Sequence, residues 1–380
     1  MIKKILRKNF FVITFLFSIN TFSQYYKLSP ETKVSVLTCG SGNELYSIYG
    51  HTAIRFQDPK NNLDIVVNYG NFDFRTANFY GKFVKGDLQY FVAASTFSDF
   101  MLEYIETNRN VYEQILVLTE FQKQKLFDEI NTSMYSDERF YTYKFIDKNC
   151  TTMVLDKVNA LFGKNVVFKK SNTDVSYRKV LYSYLGNHFF ENLGINVIFG
   201  YKTDANATKL FLPNEFKENL EVAKFQNKLI AQKPTILHSK NLDLEKFSWW
   251  NNIYFFSAFF ILILVLNKKS LDIFYLITLG LIGIFLSMVG FYSLHNEVTQ
   301  NYNVFLFNPS LILLVYFLYR QNHNWILRLC YFNLICVAIH FFIILNKVDL
   351  IMLLPVQITS VVILIKLILN HRKKLLTSIK

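Results

Sequence analysis

The chain has 380 residues, 52% of them hydrophobic, and a formal net charge of +13. Such a basic chain invites a nucleic-acid reading, yet it has no zinc-finger spacing, no phosphate-binding glycine loop and no aromatic-basic motif. Much of the charge instead flanks apolar runs crowded into the C-terminal third, which excludes a single soluble domain.

Residues 1–23 are predicted to be a secretory signal. Lys3, Lys4, Arg7 and Lys8 form the basic start, 10–19 is the apolar run, and Thr21-Phe22-Ser23 precedes a cleavage site at Gln24. An uncleaved anchor is the rival reading, and it exports the next segment equally well. Residues 24–248 are then an extracytoplasmic domain, long enough for a sizeable core. Residues 34–37, 52–56, 64–67 and 89–93 are predicted strands, with Asp58-Pro59-Lys60-Asn61-Asn62 turning between the second and third. Thr119 with Gln122 has the capping-box pattern and opens a helix to about residue 134. A helix over 151–162 follows, with Val154, Val158, Leu161 and Phe162 at helical spacing and Gly163 to end it. Pro213 opens another, with Phe216, Leu220 and Ala223 on one face. The predicted class of this domain is α+β.

Residues 249–380 are predicted to be an all-α polytopic membrane domain of about five spans: 250–266, 271–294, 304–319, 326–345 and 348–369. Trp249, Trp250, Tyr292, Tyr302, Tyr319 and Trp325 fall at span ends, as interfacial aromatics do. With the N-terminal domain exported, eight Lys or Arg flank the inside ends and one, Lys347, the outside. That positive-inside pattern predicts an inner-membrane protein with a periplasmic N-terminal domain and a cytoplasmic C-terminus. It also puts the polar loop 295–303 on the periplasmic face. His295 and Asn301 there are predicted to touch lipid substrate, a solvated turn being the plainer alternative.

Chemistry centres on Lys148-Asn149-Cys150-Thr151-Thr152. A cysteine at a helix N-terminus meets free N–H groups and the positive dipole end, which favour the thiolate. Of seven histidines, only His51, His188 and His238 lie in the exported domain. His188 sits in an apolar stretch and His238 in a polar linker, so His51, after Gly50 at a strand start, is the predicted base. Asn68 is the candidate that orients the imidazole, with Tyr69 and Asp73 close by. Asn149 and Thr151 are predicted to bind substrate at the helix start, where backbone N–H groups hold an oxyanion. A Cys39–Cys150 disulfide is the competing use of the same cysteine. The histidines and carboxylates lack metal-ligand spacing, and no cofactor is implied.

The run Thr38-Cys39-Gly40-Ser41-Gly42-Asn43-Glu44-Leu45-Tyr46-Ser47-Ile48-Tyr49-Gly50-His51-Thr52-Ala53-Ile54-Arg55, with Asn68-Tyr69-Gly70-Asn71-Phe72-Asp73-Phe74 and Asp147-Lys148-Asn149-Cys150-Thr151-Thr152, resembles the Lnb-type lipoprotein N-acyltransferases of Bacteroidota. Phe211-Leu212-Pro213 and the outer His295, Asn301, Asn303, Asn308-Pro309 pattern are similar too. The resemblance implies a phospholipid acyl donor and a diacylated lipoprotein acceptor. A histidine before an Asn-Cys helix start is also similar to permuted papain-like folds of the NlpC and vitamin-A acyltransferase kinds. Two other functions fit the same residues: a membrane-anchored cysteine amidase or peptidase acting on cell-wall peptides, and a non-catalytic membrane assembly protein.

Overall fold

Apolar and β-branched runs in the first third of the chain make strands, as their side chains suit a sheet covered on both faces. A computed structural model describes residues 26–186, 188–242 and 248–378, so the predicted secretory signal lies outside the described residues. Strands β1 (Lys33–Cys39), β2 (His51–Asp58), β3 (Leu63–Asn71), β4 (Gln89–Thr96), β5 (Val111–Ile115) and β6 (Phe140–Thr142) join β9 (Thr235–His238) in one sheet. Its order is β6-β4-β3-β2-β1-β5-β9, and every pairing is antiparallel. β7 (Lys224–Phe225) and β8 (Lys228–Leu229) form a separate hairpin. The four predicted strands are all present, each extended by three to five residues in all. The predicted turn is a 3-10 turn, Pro59–Asn61, closed by Asn62 at φ 50°.

Among the described residues the exported domain has seven α-helices: α1 (Phe79–Lys85), α2 (Phe97–Glu106), α3 (Glu120–Met134), α4 (Cys150–Ala160), α5 (Tyr177–Ser183), α6 (Phe189–Ile198) and α7 (Pro213–Glu221). The predicted capping box opens α3: Thr119 Oγ1 accepts from Gln122 N–H, and Gln122 Oε1 accepts from Thr119 N–H. Leu126 and Ile130 of α3, Val154 and Val158 of α4, and Phe216 and Leu220 of α7 are buried against Val34, Val36, Ile54 and Phe56. Each such side chain contributes about 1.5–3 kcal/mol by leaving water. α2 covers the other face, placing Phe100 and Tyr104 over Leu37, Ala53 and Val66. The exported domain is α+β, as predicted.

The membrane domain is helical: α8 (Ile253–Leu266), α9 (Lys269–Tyr292), α10 (Ser310–Tyr319), α11 (His323–Ile344) and α12 (Leu350–Ser378). Among the described residues, four segments are long and apolar enough to cross a membrane: Lys269–Tyr292, Asn296–Tyr319, His323–Ile344 and Leu350–Leu376. The first of the five predicted spans is a 14-residue apolar helix. At ~1.5 Å per residue it is shorter than the ~30 Å hydrocarbon layer. The segment from Asn296 is not one regular helix. Two 3-10 turns, Asn296–Val298 and Tyr302–Phe305, precede α10.

The two domains are locked together at one end of the helices. Leu193, Val197 and Ile198 of α6 pack into the membrane-domain core. Arg178 of α5 donates to Asp204, which also accepts from Lys347 between α11 and α12. Beside them, the end of α9 joins the exported domain directly: Leu294 N–H donates to Lys85 O at 2.7 Å, and Lys144 Nζ to Leu294 O at 2.6 Å.

Candidate active site

The site is assembled where β2 and β3 run past the start of α4. Gly50 makes the entry to β2: its φ is +82°, and a Cβ there would stand 2.4 Å from Cys39 O. Only glycine fits that approach. His51 follows, two residues before Ala53, and Ala53 pairs with Asn68 across to β3. Alternation along a strand therefore puts His51 and Asn68 on one face as diagonal neighbours. Their side chains meet: His51 Nε2 lies 3.1 Å from Asn68 Oδ1. A carboxamide oxygen only accepts, so Nε2 carries the proton and donates it, which leaves Nδ1 as the free ring nitrogen. Asn68 Nδ2 faces the other way, to Val66 O at 3.4 Å.

α4 delivers the cysteine. Asn149 is its N-cap, with Oδ1 accepting from Thr152 N–H at 3.0 Å while Thr152 Oγ1 accepts from Asn149 N–H at 2.8 Å. Cys150 is the first residue of the helix, one position earlier than the predicted start. Helix geometry gives the N–H groups of Cys150 and Thr151 no intrahelical acceptor, so both are free to hold an oxyanion. Thr151 Oγ1 lies 3.0 Å from Thr52 Oγ1, and this buried bond ties the helix start to β2. β3 makes room opposite. Its register with β4 shifts between Asn68 and Asn71, and Gly70, at φ +93°, lies against Cys150. A bulge beside a reacting group is a recurrent way of aiming side chains.

Electrostatics favour an ion pair. Burial pushes the Cys150 thiol up, but the charge and hydrogen bond of His51 oppose it, with further help from the Thr52 backbone and Thr151 hydroxyl. The net direction for Cys150 is down. For His51, burial favours the neutral ring, and the Cys150 charge with the Cys150 and Asn68 hydrogen bonds outweighs it. The net direction for His51 is up. Both groups remain half-buried rather than sealed. Cys39 and Cys150 are both free thiols.

The other predicted site residues fall elsewhere. Asn149 is buried with its side chain fully engaged: Oδ1 caps α4, and Nδ2 donates to Phe145 O and Phe211 O at 2.8 and 2.9 Å. Thr151 is wholly buried as well. Asn301 Nδ2 donates to Val197 O and Ile198 O, and its Oδ1 accepts from Asn303 N–H, so it fastens α6 to the membrane domain. His295 Nε2 lies 3.0 Å from Phe83 O of α1, at the seam between the domains. His188 precedes α6, 3.8 Å from Glu191, and His238 ends β9. Thr52, Glu297 and Tyr143 also stand at the site, outside the predicted set. Glu297 Oε1 accepts from Ile146 N–H just before the cysteine, and Tyr143 packs against the same core cluster as Cys150. None of the three carries a spacing signal.

Comparison with known proteins finds two matched segments in the chain. The family described as Lnb N-terminal periplasmic domain matches residues 21–182, and the one described as Lnb transmembrane domain matches 253–379. No curated protein and no solved structure matches. The two matched segments contain β1 to β6, the Cys150 helix and all five apolar helices, and on them the chain belongs to the Lnb family, as a membrane-anchored protein of lipoprotein processing with a periplasmic domain.

Proposed function

We propose that this protein is a lipoprotein N-acyltransferase, and that its periplasmic domain is a permuted papain-like fold. The Cys150 thiolate attacks the ester carbonyl of a glycerophospholipid, and the N–H groups of Cys150 and Thr151 hold the oxyanion. His51 gives its Nδ1 proton to the glycerol oxygen, lysophospholipid leaves, and a thioester remains on Cys150. The α-amine of a diacylglyceryl-cysteine lipoprotein then attacks the thioester. His51 takes the amine proton, the amide forms, and the thiolate is restored. Asn68 holds the ring in the tautomer that both steps need.

One observation carries this reading: the Asn68, His51, Cys150 row stands beside the outer ends of the membrane helices, joined to them through Lys85, Lys144 and Ile146. A peptidase has no use for that placement, whereas two lipid substrates must surface there. In this reading residues 24–248 form the periplasmic unit, 249–380 the membrane unit, and the C-terminus is cytoplasmic because basic residues gather at the inside ends. Mass spectrometry of lipoprotein N-termini from cells with and without the protein tests it. Triacylated N-termini are expected with the protein and diacylated ones without it. Unchanged lipoproteins alongside altered cell-wall peptides would establish an amidase instead.

A further inference from the structure

The reacting cysteine hangs from a short turn that closes on itself. Lys144 and Lys148 pair across it, each N–H donating to the other's carbonyl at 3.0 and 2.9 Å, and Phe145, Ile146 and Asp147 make the turn between them. Asn149 follows as the cap of α4, and its Nδ2 donates back to Phe145 O, so the turn and the helix start form one piece. Protein closes over its inner side, where Ile146 packs with Tyr177, Leu181, Phe211 and Leu212. A turn of this kind leaves its middle N–H groups outside the pairing, and a buried N–H needs an acceptor. Ile146 finds one in the other domain: Glu297 Oε1 accepts from its N–H at 3.2 Å.

Glu297 sits in the 3-10 turn Asn296–Val298 beyond α9 and is 3% exposed. A buried carboxylate is costly, and here Oε2 has no hydrogen-bond partner among the described residues. The hydrogen bond its side chain does make is to the turn that carries Cys150. A carboxylate grips an N–H harder than a carboxamide does, which gives the buried group its use. Its backbone is fixed independently, because Glu297 O accepts from Gly200 N–H at 2.7 Å. Lys144 Nζ adds a second tie from the same turn to Leu294 O at 2.6 Å. We propose that Glu297 is a positioning residue for Cys150: from the membrane domain it fixes the 144–148 turn, and through Asn149 the start of α4, where the sulfur meets His51. The proposal rests on the reading of Cys150 as the nucleophile. It makes the membrane domain a part of the active site as well as the platform beneath it.

The test uses the full chain, with iodoacetamide alkylation of Cys150 read in detergent and acyl transfer read in membranes. Cys39, wholly buried, should stay unlabelled and serves as the internal measure of an intact sheet. Glu297→Ala should slow alkylation at neutral pH by about tenfold and move its onset to higher pH. It should lower acyl transfer by roughly tenfold to a hundredfold, the scale of a displaced reacting group. Glu297→Gln keeps an acceptor at the same reach and should hold both within about threefold of the parent. Lys347→Met cuts the seam elsewhere, at its bond to Asp204, and should leave the alkylation profile in place. Parental alkylation in Glu297→Ala would overturn the proposal. So would equal slowing in Lys347→Met, which would make Glu297 one fastener among several, or a Glu297→Gln as slow as Glu297→Ala, which would give the effect to charge. If Glu297→Ala opened Cys39 to label, Glu297→Asp would take its place: the same charge on a shorter arm, slowed if reach decides and parental if the proposal is wrong. A shifted alkylation profile in a protein that never N-acylates lipoproteins would refute the acyltransferase reading and leave this one standing.

Discussion

Two cysteines flank one histidine in this molecule, and their thiols are shifted in opposite directions. Cys39, at the end of β1, stands directly across from His51 in the sheet register. Cys150, at the start of α4, meets the same imidazole from outside the sheet. Burial opposes the thiolate at both. At Cys39 it wins: the thiol is pushed up to about 12 despite the charge of Arg109 and a hydrogen bond with Tyr104. At Cys150 it loses to His51, the Thr52 backbone and the Thr151 hydroxyl. Proximity to a histidine along a strand pair therefore does not by itself lower a thiol's pKa. A helix start with donors aimed at the sulfur, and a ring nitrogen turned toward it, does.

The largest effect should come from Cys150→Ser. Acyl transfer, followed by mass spectrometry of lipoprotein N-termini in membranes, should fall roughly 10⁴-fold or more, since a serine here gains no comparable anion. A variant within tenfold of the parent would end the thioester route. His51→Ala comes next, with a loss of roughly 10²–10⁴-fold. It should also move the pH profile of iodoacetamide alkylation at Cys150. In the parent, the lowered pKa keeps thiolate present below the ordinary thiol range, so alkylation declines only as pH falls through that lowered value. Without the imidazolium, burial acts with less opposition and the onset shifts to higher pH. An unshifted profile would mean that His51 does not set the charge of Cys150.

How much of this was legible in the sequence depends on the range of the interaction. Helix caps and strand runs are local, so the capping box at Thr119, the start of α4 and the first four strands could be read within a residue or a few. β5, β6 and β9 are three to five residues long and owe their existence to the strands beside them, so no window of sequence marks them. The meeting of His51 and Cys150 was legible because few residues share their chemistry. Asn68 was reachable because strand parity links it to His51. The packing of Asn149, Thr151 and Asn301 was not. A polar side chain near a nucleophile looks the same in sequence whether it binds substrate or holds a backbone carbonyl. Only Phe145, Phe211, Val197 and Ile198, distant in the chain or spread along it, reveal which.

Smaller effects separate orientation from scaffolding. Asn68→Ala removes one hydrogen bond to the ring and transfers no proton. A loss of about tenfold in acyl transfer is expected, the kinetic equivalent of ~1.4 kcal/mol. Its alkylation profile should move less than that of His51→Ala. Asn149→Ala should instead show first as lost stability, about 1–2 kcal/mol for the cap alone, read as a lower melting temperature of the detergent-solubilised protein. Full thermal stability with weakened substrate saturation would return Asn149 to the substrate-binding role predicted from sequence.

Cys39→Ala should have the smallest effect on acyl transfer, and it tests the comparison most directly. Its sulfur is wholly buried among Leu37, Ala53 and Val111, out of reach of a substrate from solvent, so transfer should stay within about twofold. Truncating one buried side-chain atom costs roughly 1 kcal/mol of stability, visible as a modest drop in melting temperature. In the parent, iodoacetamide at neutral pH should label Cys150 and spare Cys39, because one thiol is lowered and half-buried while the other is raised and sealed. If Cys39→Ala instead abolished transfer and the parent's Cys150 resisted labelling until reduced, the two cysteines would be partners in a disulfide. His51 would then face no thiolate, and the chemistry assigned to the start of α4 would have no nucleophile.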